Sequence, residues 1–237
     1  MTHVYPYPGA EQDETYEWEN RIADPERRIE AFMASVQPLA GIVFIDIGSG
    51  SGFHAAHFAE TARQVFAVEP APKMLQQAHR RFADEPHDNL SVIAAGAEEI
   101  PLRDGIADVI HSRFAYFFGP ETRHTSSCVP GIREAQRLLK PGGVFFVIDN
   151  NFTSGQFAEF LCRYAYGAIF DAAARDVFWS EQGFEQVTIA SNWIAPDREV
   201  LQRVIAMEFP AEHVAAIMDS IDGASLTYHY DVFYYRA

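Results

Sequence analysis

Residues 42–53 read Ile-Val-Phe-Ile-Asp-Ile-Gly-Ser-Gly-Ser-Gly-Phe, and this stretch decides the fold. Ile42 to Ile47 is apolar apart from Asp46 and rich in β-branched side chains. A run this short, closed by glycine, predicts a strand buried on both faces, as in a parallel sheet. Gly48, Gly50 and Gly52 follow at alternate positions. Lacking a Cβ, they let the backbone turn sharply at the strand's end and approach a ligand more closely than any other residue allows. Phe53-His54-Ala55-Ala56-His57-Phe58-Ala59 then spaces its apolar side chains for a helix. Strand, glycine loop and helix together form a nucleotide-binding unit of an α/β protein.

The dinucleotide fingerprint is G-x-G-x-x-G, and Phe53 stands where its third glycine belongs, which disfavours a NAD-dependent Rossmann oxidoreductase. The pattern present is D-x-G-x-G-x-G from Asp46 to Gly52. It resembles the first motif of the class I S-adenosylmethionine-dependent methyltransferases. The resemblance implies a Rossmann-like, doubly wound, seven-stranded and mostly parallel sheet with the last strand antiparallel, an N-terminal helical segment and helical insertions. It also implies S-adenosylmethionine as cofactor, S-adenosylhomocysteine as product, and Asp46, Gly48, Ser49, Gly50 and Gly52 as cofactor-binding residues.

Gln64 to Glu69 reads as a second strand ending in an acid, placed after the glycines where a parallel strand delivers a carboxylate to a ribose. Two neighbouring hydroxyls can donate to one carboxylate, so Glu69 is the candidate ribose ligand. Pro70 and Pro72 open the next helix, whose buried stripe includes Met74, Leu75, Ala78 and Phe82. By resemblance, Pro70 and Met74 lie at the cofactor and Met74 against adenine. Asn89 to Ala94 is a third strand, and the family's small residue followed by an acid, at the adenine edge, corresponds to Ala97 and Glu98, with Glu99 as the competing acid.

Ala107 to Ser112 is a fourth strand, followed by Arg113-Phe114-Ala115-Tyr116. Ligands of doubly wound sheets sit outside the carboxyl ends of the strands, so His111, Ser112 and Arg113 project toward the reaction zone. Ser112 and Arg113 join the cofactor-binding set. His111 has a suitable pKa for taking a proton from a hydroxyl acceptor, or it is a hydrogen-bonded structural residue. Tyr116 positions an acceptor or packs with its phenylalanine neighbours. These two are the catalytic candidates.

Around this core, Asp24-Pro25 predicts the start of one helix before the first strand, with Ile29, Phe32, Met33 and Val36 on its apolar face. The preceding segment, with Tyr5-Pro6-Tyr7-Pro8-Gly9, argues against regular structure, and Tyr16 and Trp18 either cover the ligands or staple the helix to the sheet. A long helix is expected over 121–140, with Pro130-Gly131 able to break it, and then a Pro-Gly-Gly turn at 141–143 into a fifth strand. Leu138 to Ile148 repeats a sequence characteristic of the family. Aromatic helical sequence fills 153–181, strand six spans 184–193, two helices cover 197–207 and 210–221, and the last strand spans 226–235. The expected organisation is one domain, with 1–37 as lid and helix, 38–150 as cofactor-binding core, and 151–237 supplying substrate-cap helices and final strands.

Eighteen basic residues against 33 acidic ones give a net charge of −15, which disfavours nucleic acid and anionic membrane surfaces as partners. Cys128 and Cys162 have no metal-ligand spacing, and no metal is expected; Asp149-Asn150 resembles the metal site of catechol-type methyltransferases, but His111 stands where that group carries an Asp. No run reaches transmembrane length and the N-terminus lacks a basic region followed by an apolar one, so a cytoplasmic monomer or homodimer acting on a small-molecule substrate is expected, with a non-catalytic cofactor-binding protein of the same fold as the alternative.

Overall fold

The computed structural model describes residues 11–122, 125–165 and 171–237. The Tyr5 to Gly9 segment and the aromatic residues Tyr166 and Phe170 lie outside the described residues. β1 (Val43–Ile47) is buried at every position and pairs in parallel with β2 (Gln64–Val68) and β4 (Ala107–Arg113). β3 (Leu90–Ile93) adds to β2, and β5 (Leu139–Asn150) adds to β4, both parallel. β9 (Tyr230–Arg236) inserts antiparallel between β5 and β6 (Glu185–Ile189), giving the order β3-β2-β1-β4-β5-β9-β6. The seven-stranded, mostly parallel sheet with an antiparallel last strand is therefore as expected.

Strand alternation divides the core into two faces. On one, Phe44, Val65, Ala67, Val109 and Phe146 pack against α2 (Arg28–Val36), α3 (Phe53–Ala59), α8 (Arg198–Glu208) and α9 (Ala211–Asp219). On the other, Ile45, Ile47, Ile110 and Phe145 meet Ile132, Ala135 and Leu138 of α5 (Val129–Leu138) and Trp179 of α7 (Ala172–Glu181). α4 (Pro72–Asp84) begins with proline in its first turn, as the sequence indicates, and buries Met74, Gln77 and Ala78.

Several boundaries differ from expectation. Two helices, not one, precede the first strand, because α1 (Asp13–Ile22) places Asp13 and Glu14 in its first turn and Arg21 in its last, where each charge suits the helix dipole. Asp24 has φ 49° rather than an extended N-cap conformation, and its carboxylate still accepts the Ile29 N–H at 2.9 Å. The expected long helix over 121–140 is confined to α5; Cys128 precedes it and Pro130 falls in its first turn, where a missing N–H costs nothing. The sixth strand divides into β6 and β7 (Asn192–Ile194), and the last into β8 (Ser225–Thr227) and β9, with β7 and β8 pairing as a separate ribbon. Ser191, at the first break, gives its hydroxyl to buried Asp24. Between β5 and β6, α6 (Gln156–Phe160) runs into a π-helical turn at Leu161–Ala165.

Candidate functional site

The ends of β1, β2, β3 and β4 open on one edge of the sheet. Gly48, Gly50 and Gly52 all have positive φ, at 74°, 55° and 78°. Space forbids a side chain as firmly as the dihedrals do: a Cβ would lie 2.2 Å from Ala115 Cβ at Gly48, 2.6 Å from the Tyr16 hydroxyl at Gly50 and 2.4 Å from Phe82 at Gly52. The loop is thus packed between the segment after β4, α1 and α4. Buried Ser49 keeps a hydroxyl with no hydrogen-bond partner among the described residues.

Glu69 follows β2 and is buried. Its carboxylate accepts the Gly50 N–H at 2.9 Å and the Ala71 N–H at 2.8 Å, tying the glycine loop to the start of α4. Burial raises its pKa, against the lowering effect of those two N–H groups. Met74 and Ala97 are buried, Pro70 and Glu98 are half-buried, and Glu99 is exposed. Tyr116 has φ 49°, and its phenol is held in the protonated form first by burial and then by the nearby Glu98 carboxylate. Its ring rests on Gly131 and its hydroxyl donates to the Ser127 carbonyl at 3.3 Å, so it belongs to the Glu98 side of the edge.

At β4 the register sets Asp46 beside His111, and His111 Nδ1 lies 2.8 Å from Asp46 Oδ1, both fully buried. The His111 ring is enclosed by Phe44, Phe58 and His54, with centroids 5.6–6.0 Å away. Ser112 donates to the Ile47 carbonyl at 3.0 Å and lies 3.2 Å from that of Ala115, so it fastens β4 to β1. Arg113 turns to the other half of the edge, over the rings of Tyr230 at 5.1 Å and Phe114 at 5.6 Å. The structure therefore gathers Asp46, Ser49, the glycines and Glu69 around the loop, with Glu98 and Tyr116 on the β3 side and Arg113 on the β5–β9 side.

α1 lies across this edge. Tyr16 sits over Gly50, and Glu17 takes the Ser51 hydroxyl at 2.8 Å and pairs with Arg81 of α4. Glu11 and Asp13 pair with Lys73 and Arg80 of the same helix, and Glu14 with Arg203 of α8. Sequence reasoning noted Tyr16 but missed His54, although His54 stands in the first turn after the glycines. It also missed Tyr228 and Tyr230, which reach the site through strand order and carry no local motif.

Among the described residues, no group of three or more His, Cys, Asp or Glu side chains could hold a metal, and no helix is long and apolar enough to cross a membrane. Asp149 and Asn150 are engaged internally: Asp149 with Arg175 at 3.3 Å, and Asn150 through its side-chain oxygen with the Tyr228 hydroxyl.

Residues 45–147 match the family model described as a methyltransferase domain. The chain is 27% identical over 202 residues to the ubiquinone/menaquinone biosynthesis C-methyltransferase UbiE of Caulobacter vibrioides, an alignment covering 80% of this chain and 70% of that protein. It is 30% identical over 130 residues to the ubiquinone biosynthesis O-methyltransferase of a Methylobacterium, covering 52% and 46%. Against several such relatives the chain spans about half their length or less, 43% for the UbiE of Rubrivivax gelatinosus. A SAM-dependent methyltransferase from Aquifex aeolicus shares the fold, with a TM-score of 0.60 at 15% identity over 97% of this chain and 98% of that one. Residues 45–147 thus match a methyltransferase domain, and the chain shares the fold of a SAM-dependent methyltransferase.

Proposed function

We propose that the chain is a class I methyltransferase that moves a methyl group from S-adenosylmethionine to a small-molecule acceptor. The observation that carries the reading is Glu69, a buried carboxylate fixed by the Gly50 and Ala71 N–H groups beside three glycines that admit no side chain. Two N–H bonds leave lone pairs on both oxygens, enough to accept two vicinal hydroxyls. The free hydroxyl of Ser49 supplies a further polar contact at the loop. Half-buried Glu98, rather than exposed Glu99, then serves the adenine edge together with Ala97 and Met74.

The cofactor, when bound, supplies an electrophilic methyl group on a sulfonium. The chain must align an acceptor with it and keep water away, and such alignment is worth about 7–11 kcal/mol of barrier. α1 provides the cover, with Tyr16 over the loop. In this reading 1–37 acts as lid, 38–150 as cofactor core and 151–237 as acceptor wall. Pinned to Asp46, His111 serves as a positioning residue beneath the site rather than as the base, and Tyr116 supports the adenine side. A small acceptor agrees with the relatives' names, which specify C- and O-methylation in quinone biosynthesis, and the charge of −15 disfavours a polyanion.

Calorimetric titration with S-adenosylmethionine, S-adenosylhomocysteine and NAD tests the cofactor. Micromolar binding of the first two and none of NAD is expected, and the reverse result overturns the reading. Incubation with methyl-labelled cofactor and a panel of phenols, quinols and amines then separates an enzyme from a pure binder, which labels none of them.

A further inference from the structure

Arg113 is the last residue of β4, and within the described residues its guanidinium has no hydrogen bond or ion pair. The side chain is half-buried, so the five donors that the described residues leave unused are open to a ligand. The surroundings are built rather than incidental. Tyr230 and Phe114 face the cation with their rings, Tyr228 stacks on Tyr230 with centroids 4.4 Å apart, and Trp193 meets Tyr228 edge-on at 5.1 Å. The Tyr230 hydroxyl and the Trp193 indole N–H, both on fully buried side chains, lie together without completing a well-formed hydrogen bond to each other or to anything else. Phe114, next in the chain, has φ 50°, a conformation that costs a non-glycine residue about 1 kcal/mol or more and that collects at functional sites.

Arg113, a cofactor candidate by sequence together with Ser112, ends β4 beside β1, and its side chain leans toward Tyr230 of β9, away from Glu69 at the end of β2. Ala115, two residues on, touches Gly48, so the aromatic site and the glycine loop share a wall.

The unused groups are mostly donors, which calls for an oxygen acceptor on the ligand. The charges facing Arg113 narrow the class. Asp24 and Glu30 approach from the α2 side, without forming an ion pair with it, the hydroxyls of Tyr228 and Tyr230 from the β9 side, and His54 from α3. Two nearby carboxylates oppose a ligand that carries a permanent negative charge. A neutral molecule that becomes anionic only when it reacts meets less opposition. Burial and then Arg113 hold His54 well below the usual histidine range, so it adds no positive charge beside the guanidinium.

We propose that Arg113 recognises the methyl acceptor through an acidic hydroxyl on a planar ring, a phenol or enol, and favours its deprotonated form. The ring stands against the exposed face of Phe114. The O–H bond breaks as the proton passes to solvent, and the resulting oxyanion is paired with the guanidinium. This rests on the methyltransferase reading above and names its acceptor class.

The test uses 4-nitrophenol, whose two protonation states differ in colour, added to protein saturated with S-adenosylhomocysteine. The bound phenol is expected to ionise about one pH unit or more below the free one, a tenfold change in its ionisation constant. Arg113→Met abolishes the shift and Arg113→Lys retains part of it; Arg113→Gln stands in should the Met variant fail to fold. The proposal is overturned if the parent protein shows no shift or no nitrophenol binding, or if the neutral variants keep the shift. It is also overturned if they weaken S-adenosylhomocysteine but not 5′-methylthioadenosine, which lacks the amino acid, because Arg113 then serves the cofactor's own carboxylate. Failure of S-adenosylhomocysteine to bind the parent would overturn the cofactor reading itself, whereas binding without a nitrophenol shift overturns the acceptor class alone.

Discussion

Glu69→Ala separates the structural role of this carboxylate from its proposed ligand role, because the two act on different measurements. In the folded protein Glu69 accepts two backbone N–H groups, from Gly50 and Ala71, at 2.9 and 2.8 Å. Truncation leaves both donors without an acceptor, while relieving the cost of keeping a carboxylate out of water. Bonds to a charged acceptor contribute about 1.5–3 kcal/mol each, so a net loss of about 2–4 kcal/mol is expected. For a chain of this size that lowers Tm by roughly 5–15 °C. The ribose hydroxyls lose their acceptor as well, which weakens S-adenosylhomocysteine by about 3 kcal/mol, or about 100-fold in Kd. Thermal melts read the first effect and calorimetry the second. A variant that melts earlier yet binds S-adenosylhomocysteine within twofold of the parent refutes the ribose assignment and leaves Glu69 a loop tie only.

The same residue gives two pH dependences of opposite sense. Burial raises its folded pKa above the ordinary 4.5. The folded state then holds the proton more tightly than the unfolded state, so the contribution of Glu69 to stability falls as pH rises between the two values. Cofactor affinity runs the other way, because the hydroxyls donate to the charged carboxylate. Binding of S-adenosylhomocysteine should weaken as pH drops through the raised pKa, at a higher pH than an ordinary glutamate would give. Affinity measured from pH 7 down to 5 checks this, and Glu69→Gln should flatten the profile.

Gly48→Ala places a methyl 2.2 Å from Ala115 Cβ in a residue at φ 74°, and overpacking with strain should cost about 2–4 kcal/mol. Adding Ala115→Gly should recover the steric part and leave only the backbone cost of about 1–2 kcal/mol; urea unfolding that finds no recovery removes Ala115 as the cause. The pairs fastening α1 to α4, Glu11–Lys73, Asp13–Arg80 and Glu17–Arg81, lie at or near the surface and are screened by salt. Moving from low salt to about 1 M NaCl should therefore accelerate S-adenosylhomocysteine release and amide exchange in α1, and salt-independent rates would show that the aromatic contacts alone hold it. Arg175 is buried between Asp149, Asp231 and Asp176, so Arg175→Met leaves Asp149 and Asp231 unpaired in the core and should destabilise by about 3–5 kcal/mol in thermal melts.

What could be read from the sequence was local. The three glycines, the acid after β2 and the period-2 apolar runs signal through neighbours in the chain, and the structure places them at one edge of one sheet. The misread segments depended on distant partners. Asp24 looked like an ordinary N-cap, yet one of its oxygens takes the Ile29 N–H and the other takes a hydroxyl from Ser191, 167 residues away, where the sixth strand breaks. α1 carried mostly acidic and aromatic residues, because only Trp18 and Ile22 reach the hydrophobic core while its acids face the basic side of α4 and Tyr16 the glycine loop. The acceptor side was the least legible. Arg113 and Tyr230 come from β4 and β9, and they meet only because β9 inserts antiparallel beside β5. Strand order brings these two together, and no spacing in the sequence encodes strand order. A cofactor loop that must bend one way is written in its own residues, whereas an acceptor site assembled across the sheet is written in the topology, which leaves it free to change while the loop stays fixed.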